Sequence, residues 1–128
     1  MFLLPETTAR QDGTGAEMEF ESKVASGVVR LTLGITRIIA QESLEVSVWG
    51  SADGERWESI VAFPQKFYCG TYSLVMDLRR HSNLRFLRAV WKMGRWKLEE
   101  RAPLFEFYLR VEDALLHQVG KVAADARG

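Results

Sequence analysis

The sequence predicts an all-β protein, an antiparallel β-sandwich, because apolar and polar residues alternate along several short segments that turn residues separate. In the clearest segment, residues 28–39, every second position is apolar over Val29, Leu31, Leu33 and Ile35. Successive side chains point to opposite faces of a strand, so this spacing buries one face and exposes the other. About seven such segments are expected, which is typical of a sandwich or a barrel.

The residues before this strand show two different patterns. Residues 1–15 have no sustained period and are rich in turn residues, which predicts an extended N-terminal arm. Residues 17–21 alternate between glutamate and apolar side chains, as in a half-buried strand. Gly34, inside the long strand, indicates a bulge or the close approach of another backbone. The sandwich domain is expected to span residues 16–112.

The next strand should carry Leu44, Val46 and Val48 on its core face and end in a hairpin. Four hairpin residues are predicted to have structural roles: Ser51, Asp53, Gly54 and Trp57. An Asp–Gly pair suits a tight reversal because glycine adopts a positive φ freely and aspartate can bond to its own turn backbone. Trp57 is expected to cap the sandwich, and residues 56–61 to return antiparallel.

Three further strands follow from the same alternation. Their predicted inward residues are Tyr72, Leu74, Met76 and Leu78, then Leu87, Ala89, Trp91 and Met93, and finally Phe105, Phe107, Leu109 and Val111. Residues 94–103 are interpreted as a charged linker. Beyond residue 112 the pattern changes, and the apolar residues of the tail, 113–128, could form a short amphipathic helix. Most of the four tryptophans are expected to pack in the core.

Size and composition indicate the class of protein. A chain of 128 residues fits one domain, and 47% hydrophobic with 27% charged residues is ordinary for a globular protein. No apolar run approaches the roughly 20 residues that span a bilayer, and residues 1–4 lack the basic start and the length of a secretory signal. We therefore expect a cytoplasmic protein without a membrane partner. Cys69, the only cysteine, is expected to be a buried or half-buried thiol rather than a nucleophile.

Charge is unevenly distributed along a chain whose formal net charge is zero. Residues 1–78 contain 11 acidic and 6 basic residues, a net charge of −5, whereas residues 79–128 contain 6 acidic and 11 basic residues, a net charge of +5. Such a separation can steer a partner or orient neighbouring subunits. It can equally be the solvated face of ordinary strands, and the sequence leaves both interpretations open.

No arrangement of residues in the sequence indicates catalysis or a cofactor. His81 and His117 are the only histidines, and both are expected to be solvated surface residues. The sequence contains no paired cysteines and no His-x-x-x-His spacing for a transition metal. The Gly13–Gly15 segment lacks the lysine of a phosphate-binding loop. The prediction is a protein that is not an enzyme and that uses no metal or cofactor.

The candidate binding residues are basic and aromatic: Trp49, Tyr68, Arg79, Arg80, Arg88, Lys92, Arg95, Trp96 and Lys97. Trp, Tyr and Arg are common anchors in protein interfaces, so a protein partner is the first interpretation. Arginine beside aromatic residues also binds nucleic acid, but the neutral overall charge disfavours that partner. The aromatic rings of Trp49, Tyr68 and Trp96 could instead stack on the apolar face of a sugar.

Two short motifs carry a resemblance to a known family. Residues 51–57 read Ser-x-Asp-Gly-x-x-Trp after an alternating strand, and residues 84–91 read as a strand with an aromatic-x-arginine motif. Together they resemble the galactose-binding-like (discoidin-type) jelly roll. The run 27–111 is similar in pattern to small structural proteins of tailed bacteriophages and prophages. The resemblance implies a jelly-roll sandwich with a non-catalytic binding or assembly role, although the cysteine pair usual in secreted members is absent.

These observations lead to one expected function and one alternative. We expect a non-catalytic structural or assembly module, phage-derived and associated with a virion or another particle, that forms a homo-oligomer or binds a protein partner. The alternative is a carbohydrate-binding module that uses loop aromatics. Nucleic acid is not an expected partner.

Overall fold

A computed structural model describes residues 2–19, 27–39, 43–81, 83–94 and 104–113, and it confirms the all-β sandwich. Its nine strands within these residues are β1 (Phe2–Ala9), β2 (Gly13–Thr14), β3 (Met18–Glu19), β4 (Val28–Ile39), β5 (Leu44–Ser51), β6 (Glu58–Ala62), β7 (Gly70–Asp77), β8 (Phe86–Met93) and β9 (Leu104–Asp113). A short 3₁₀ turn, Leu78–His81, follows β7. The predicted tail helix lies outside the described residues. No helix in the described part of the chain could cross a membrane.

The strands pair in the order of a jelly roll. The first sheet has the order β1-β9-β4-β7, and the second has β2-β8-β5-β6, with β3 also pairing with β8. All of these pairs are antiparallel. Because β2 and β3 pair with successive parts of β8, they occupy one strand position, which leaves four positions in each sheet. The predicted jelly-roll-like sandwich is therefore present.

The core lies between the two sheets and consists of the faces that alternation predicted. The inward residues of β4, β5 and β8 are buried, as are Phe105, Phe107 and Leu109 of β9. Trp91 and Phe107 meet edge to face, with ring centroids 5.5 Å apart, so this pair joins the two sheets. Burying one such apolar side chain contributes about 1.5–3 kcal/mol, which makes these faces the main source of stability.

The first strand replaces the N-terminal arm that the sequence predicted. It pairs with β9 as an edge strand of the first sheet, and Leu3, Leu4 and Ala9 are buried. Its register shifts between Phe2 and Leu4 and again between Leu4 and Thr7, as at a β-bulge. These shifts remove the period of two from the sequence, which is why alternation did not reveal the strand. The sandwich thus includes residues on both sides of the boundary expected at residue 16.

The positions of the tryptophans also differ from the prediction. Of the three tryptophans that the structure describes, only Trp91 is in the core. Trp49 is half-buried on the outer face of the second sheet, because its neighbour Val48 points inward on β5. Trp57 does not cap the core but packs against Arg88, which points outward on β8. Two large aromatic side chains therefore lie outside the core.

Candidate functional site

The hairpin between β5 and β6 is held by two polar side chains. Ser51 is only 1% exposed, and its Oγ accepts hydrogen bonds from the backbone N–H of Asp53 at 3.2 Å and of Gly54 at 2.8 Å. Asp53 Oδ1 accepts from the backbone N–H of Glu55 at 2.8 Å and of Arg56 at 2.9 Å. The bonds from Arg56 and then Glu55 hold the pKa of Asp53 below its usual value. These side chains stabilise the turn itself.

Arg88 and Trp57 form one contact on the outer face of the second sheet. The Arg88 guanidinium lies 4.0 Å from the centroid of the Trp57 ring, within the range of a cation–π interaction. The indole Nε1 of Trp57 donates to the backbone oxygen of Gly54 at 3.2 Å. Arg88 Nε is buried and has no hydrogen-bond partner among the described residues. This predicted binding residue therefore packs against the protein's own hairpin.

The 3₁₀ turn carries two of the predicted basic residues. Arg79 forms a bidentate pair with Asp77, with Nε–Oδ1 at 2.9 Å and the second nitrogen 3.0 Å from Oδ2. This hydrogen-bonded pair lowers the pKa of Asp77 to about 2 and raises the pKa of Arg79. Arg80 is exposed, and His81 lies 3.6 Å from the Glu58 carboxylate. The turn therefore presents positive charge at the end of β7.

The loop before β7 carries exposed residues at the opposite end of the strand. Tyr68 is 67% exposed, and its backbone oxygen accepts a hydrogen bond from the Tyr72 hydroxyl at 2.7 Å. The ammonium of Lys66 lies 4.1 Å from the Tyr72 ring centroid. Cys69 is exposed, so the expectation of a buried or half-buried thiol is wrong. Cys69 lies outside the core because it belongs to the loop before β7, and the first side chain of β7 that points towards the core is Tyr72.

A groove of about 380 Å³ lies on the outer face of the second sheet and is called the sheet groove. Its lining includes Glu45, Ser47, Trp49, Val90 and Lys92. The indole Nε1 of Trp49 donates to Ser47 Oγ at 3.0 Å, so the polar edge of the ring is already bonded. Glu45 and Lys92 are opposite in the β5–β8 register and neither forms an ion pair with a described residue.

A second, smaller pocket of about 240 Å³ lies beside the hairpin and is lined by Ser51, Asp53, Arg56, Trp57 and Asn83. Ligand pockets commonly enclose about 300–1,000 Å³, so the sheet groove falls in this range and the hairpin pocket does not. Among the described residues, no group of three or more His, Cys, Asp or Glu side chains could hold a metal ion.

The predicted binding residues do not form one patch. Trp49, Arg88 and Lys92 lie on the outer face of the second sheet, Tyr68 in the loop before β7, and Arg79 with Arg80 in the turn after it. Arg95, Trp96 and Lys97 lie outside the described residues. No protein-family model and no curated protein matches the chain.

Sequence reasoning did not identify the lateral edges of the sheets, which are β1 and β7 in the first sheet and β2, β3 and β6 in the second. An edge strand exposes unpaired backbone groups, and proteins protect such edges with proline, charge, bulges or short strands. In β1, Pro5 and the two register shifts provide this protection. In the second sheet, β2 and β3 have two residues each, and β6 has five residues and a register shift.

In contrast, β7 has no proline, bulge or short length to protect it, and it has little charge. It is eight residues long, contains no proline or lysine, and keeps an unbroken register of eight pairs with β4. Its only charged residue, Asp77, is paired with Arg79. Val75 on its outer face is 62% exposed. Among the strands that the structure describes, β7 is therefore the edge most suited to pairing with another strand. The feature of the sequence that could have indicated such an edge is the absence of proline and charge from residues 70–76.

Proposed function

We propose that this protein is a non-catalytic assembly module that self-associates through the open edge of β7. The observation that carries this proposal is the contrast between β7 and the other described edges, which have bulges, proline or very short strands. Strand addition at such an edge supplies affinity through main-chain hydrogen bonds and specificity through alternate side chains. The phage-like pattern of residues 27–111 supports a virion or another particle as the setting.

The charges beside β7 support a protein partner. Arg79 and Arg80 follow the strand, and exposed Tyr68 precedes it, so both ends present residue types that commonly anchor protein interfaces. The uneven charge of the two halves of the chain can orient two subunits before they touch. Both observations support a protein partner at the edge formed by β7.

Light scattering over about a hundredfold range of concentration tests this proposal. We expect a molar mass above that of one chain, and we expect Val75→Lys to lower it, because an edge lysine must be desolvated when strands pair. Thr8→Lys is the matched control, since Thr8 is exposed on the already protected β1. A monomer at every concentration, or an assembly that Val75→Lys leaves unchanged, would contradict the proposal.

A second candidate function is the binding of a neutral carbohydrate in the sheet groove. The specific observation is Trp49, whose indole N–H is bonded within the protein, so its ring offers an apolar surface beside polar Ser47 and Gln65. Glu45 and Lys92 together give this lining no net formal charge, which favours a neutral sugar over an acidic one. This site is on a sheet face rather than among loop aromatics.

A glycan array that contains neutral and acidic glycans tests the second candidate. Neutral glycans should bind, and Trp49→Ala should abolish the signal, because the ring supplies the stacking surface. Tyr68→Ala is the matched control, since Tyr68 is an exposed aromatic outside the groove. Loss of binding in Tyr68→Ala alone would move the site to the loop, and the absence of any glycan signal would eliminate the carbohydrate function.

A further inference from the structure

We infer that two copies of this chain join β7 to β7 in antiparallel orientation, about a two-fold axis that passes beside Leu74. The inference rests on the proposed self-association and specifies its partner strand, symmetry and register. The first sheets of the two copies, each with four described strands, would then form one continuous sheet. A two-fold interface closes on itself, so the product is a dimer rather than a filament.

The partner strand follows from the comparison of the edges. Pairing β7 with β1, β6 or the short β2 and β3 would join the open edge to one interrupted by a bulge or limited to a few residues. Among the edges that the structure describes, only the combination of β7 with β7 brings together two uninterrupted edges of eight residues. The occupant of the edge is therefore a second copy of the same strand.

One hydrogen bond identifies the backbone groups of β7 that face outward. The N–H of Leu78 donates to the backbone oxygen of Gly27 at 2.7 Å, in line with the register that pairs Val28 with Asp77. Hydrogen-bonded and non-hydrogen-bonded pairs alternate along an antiparallel ladder. The even-numbered residues of β7 therefore bond to β4, as Leu74 does opposite Leu31. The odd-numbered residues direct their N–H and C=O groups away from β4.

These outward groups belong to Thr71, Ser73, Val75 and Asp77. Two copies can exchange hydrogen bonds only if an odd-numbered residue of one lies opposite an odd-numbered residue of the other. With the axis beside Leu74, Thr71 lies opposite Asp77, and Ser73 lies opposite Val75. This register uses all the outward residues of both strands. Moving the axis by one residue in either direction leaves at least one outward residue without a partner inside β7.

The side chains agree with this register. Tyr72 and Leu74 point towards the core but are only half-buried, because no described strand covers their outer side. In the dimer the two Leu74 side chains meet at the axis, and Tyr72 of one copy lies opposite Met76 of the other. On the other face, exposed Val75 gains Ser73 as a neighbour. Pairing therefore removes apolar surface from water on both faces of the joined sheet.

The ends of the strand are complementary as well. Antiparallel pairing brings the end that carries Tyr68 in one copy to the end that carries Arg79 and Arg80 in the other. An exposed aromatic ring and a guanidinium attract each other through a cation–π interaction. Two-fold symmetry repeats this contact at both ends. Parallel pairing would instead place the two arginine-bearing turns together, where like charges repel.

Disulfide trapping in a Cys69→Ser background tests the register. At a non-hydrogen-bonded antiparallel pair the Cα atoms are about 4.5 Å apart, which lies within the range that a disulfide can bridge. Leu74→Cys should therefore form a disulfide-linked dimer under mild oxidation. Ser73→Cys is the matched control. Residue 73 of one copy lies diagonally across from residue 73 of the other, about 7–8 Å away, which is too far for a disulfide.

A proline substitution tests the role of the outward backbone groups. Ser73→Pro removes an N–H that points away from β4, so the internal ladder stays intact, whereas Ser73→Ala keeps that N–H. Each dimer loses two hydrogen bonds in Ser73→Pro, and we expect its dissociation constant to rise at least about tenfold relative to Ser73→Ala. Thermal unfolding and circular dichroism of both variants report whether the fold is retained.

The outcomes separate this inference from the proposed function. A dimer that Leu74→Cys traps and Ser73→Pro weakens supports both. A different result would overturn the two-fold register and leave self-association intact. In that case Val75→Lys weakens the assembly, but either Leu74→Cys is not trapped in preference to Ser73→Cys or the assembly grows beyond a dimer. A monomer at every concentration overturns both. If Ser73→Pro does not fold, the trapping pattern alone decides the register.

Discussion

The guanidinium of Arg88 lies over the indole ring of Trp57, 4.0 Å from its centroid, and this contact joins β8 to the hairpin after β5. Both side chains are half-buried, so water screens the contact less than it would at a fully exposed site. Arg88 Nε has no hydrogen-bond partner among the described residues, and the guanidinium packs on the Trp57 ring instead. A residue that resembled part of a basic patch in the sequence therefore stabilises the fold.

We predict that Arg88→Ala lowers the free energy of unfolding by about 1 kcal/mol, the size of a partly desolvated cation–π contact. Arg88→Lys should recover only part of this loss, because an ammonium lacks the planar stacking surface. Urea unfolding measures the change, with Arg10→Ala, at an exposed arginine, as the control. A double-mutant cycle with Trp57→Leu that showed no coupling energy would contradict the assignment.

The hairpin provides a second prediction at Ser51. Its buried Oγ accepts from the N–H groups of Asp53 and Gly54, and Ser51→Ala leaves both donors without that partner. We expect a loss of about 1–2 kcal/mol in the free energy of unfolding. Ser59→Ala, an exposed serine on the neighbouring β6, is the control and should change stability by less than about 0.5 kcal/mol. Equal effects in chemical denaturation would refute the structural role of Ser51.

Asp77 predicts a dependence of stability on pH. Its pairing with Arg79 lowers its pKa from 3.8 to about 2 in the native state. Between these values the unfolded state binds more protons, so this carboxylate stabilises the fold above about pH 4 and loses that effect as the pH falls towards 2. The urea midpoint of Asp77→Asn should therefore vary less over this window than that of the unsubstituted protein.

The pKa of Asp77 can also be measured directly. A carboxyl ¹³C titration should give a midpoint near 2, and Arg79→Gln should raise it towards 3.8 because the charged hydrogen-bond donor is lost. Arg80→Gln is the control, since Arg80 makes only the smallest contribution to the pKa of Asp77. A midpoint that stayed unchanged in Arg79→Gln would show that the pair does not form in solution.

Gly34 lies opposite Tyr108, whose ring fills the space that a Cβ at position 34 would occupy. We expect Gly34→Ala to cost about 1–3 kcal/mol, because the ring must move away from its edge-to-face contact with Phe2. In a Tyr108→Ala background the same substitution should cost nothing or stabilise the strand, since alanine suits a strand better than glycine. Thermal unfolding of the unsubstituted protein, the two single variants and the double variant measures these changes in stability. If the effects of the two substitutions on stability were additive, the prediction would be contradicted.

The sequence predicted much of the sandwich because alternation along a strand is a local signal. The inward faces of β4, β5, β8 and β9 agree with it, since each of these strands has partners on both sides and one face against the core. The prediction failed at β1, where the register shifts removed the period. At Gly34 it was right in part: β4 shifts its register against β9 between Ile35 and Arg37, as at a bulge, whereas the close contact at Gly34 is the side chain of Tyr108 rather than another backbone.

The candidate sites were less predictable, because they depend on which strands become neighbours. Arg88 and Trp57 are far apart in the chain, and only strand pairing brings them into contact. The sheet groove likewise forms because Lys92 of β8 lies beside Glu45 of β5. From its residues alone, β7 is an ordinary strand. Its position at the end of the order β1-β9-β4-β7 makes it an edge.

The amino-acid sequence by itself determined the class of fold, the hairpin at Asp53–Gly54 and the residues that avoid water, because backbone geometry and hydrophobicity act over a few neighbouring positions. The tertiary structure alone decided which of the described strands lies at the edge of a sheet and which outward side chains met. Hydrogen bonds between strands join residues distant in the chain, so a local pattern of side chains can show that a strand lacks proline and charge but does not specify which strand lies at the edge of a sheet.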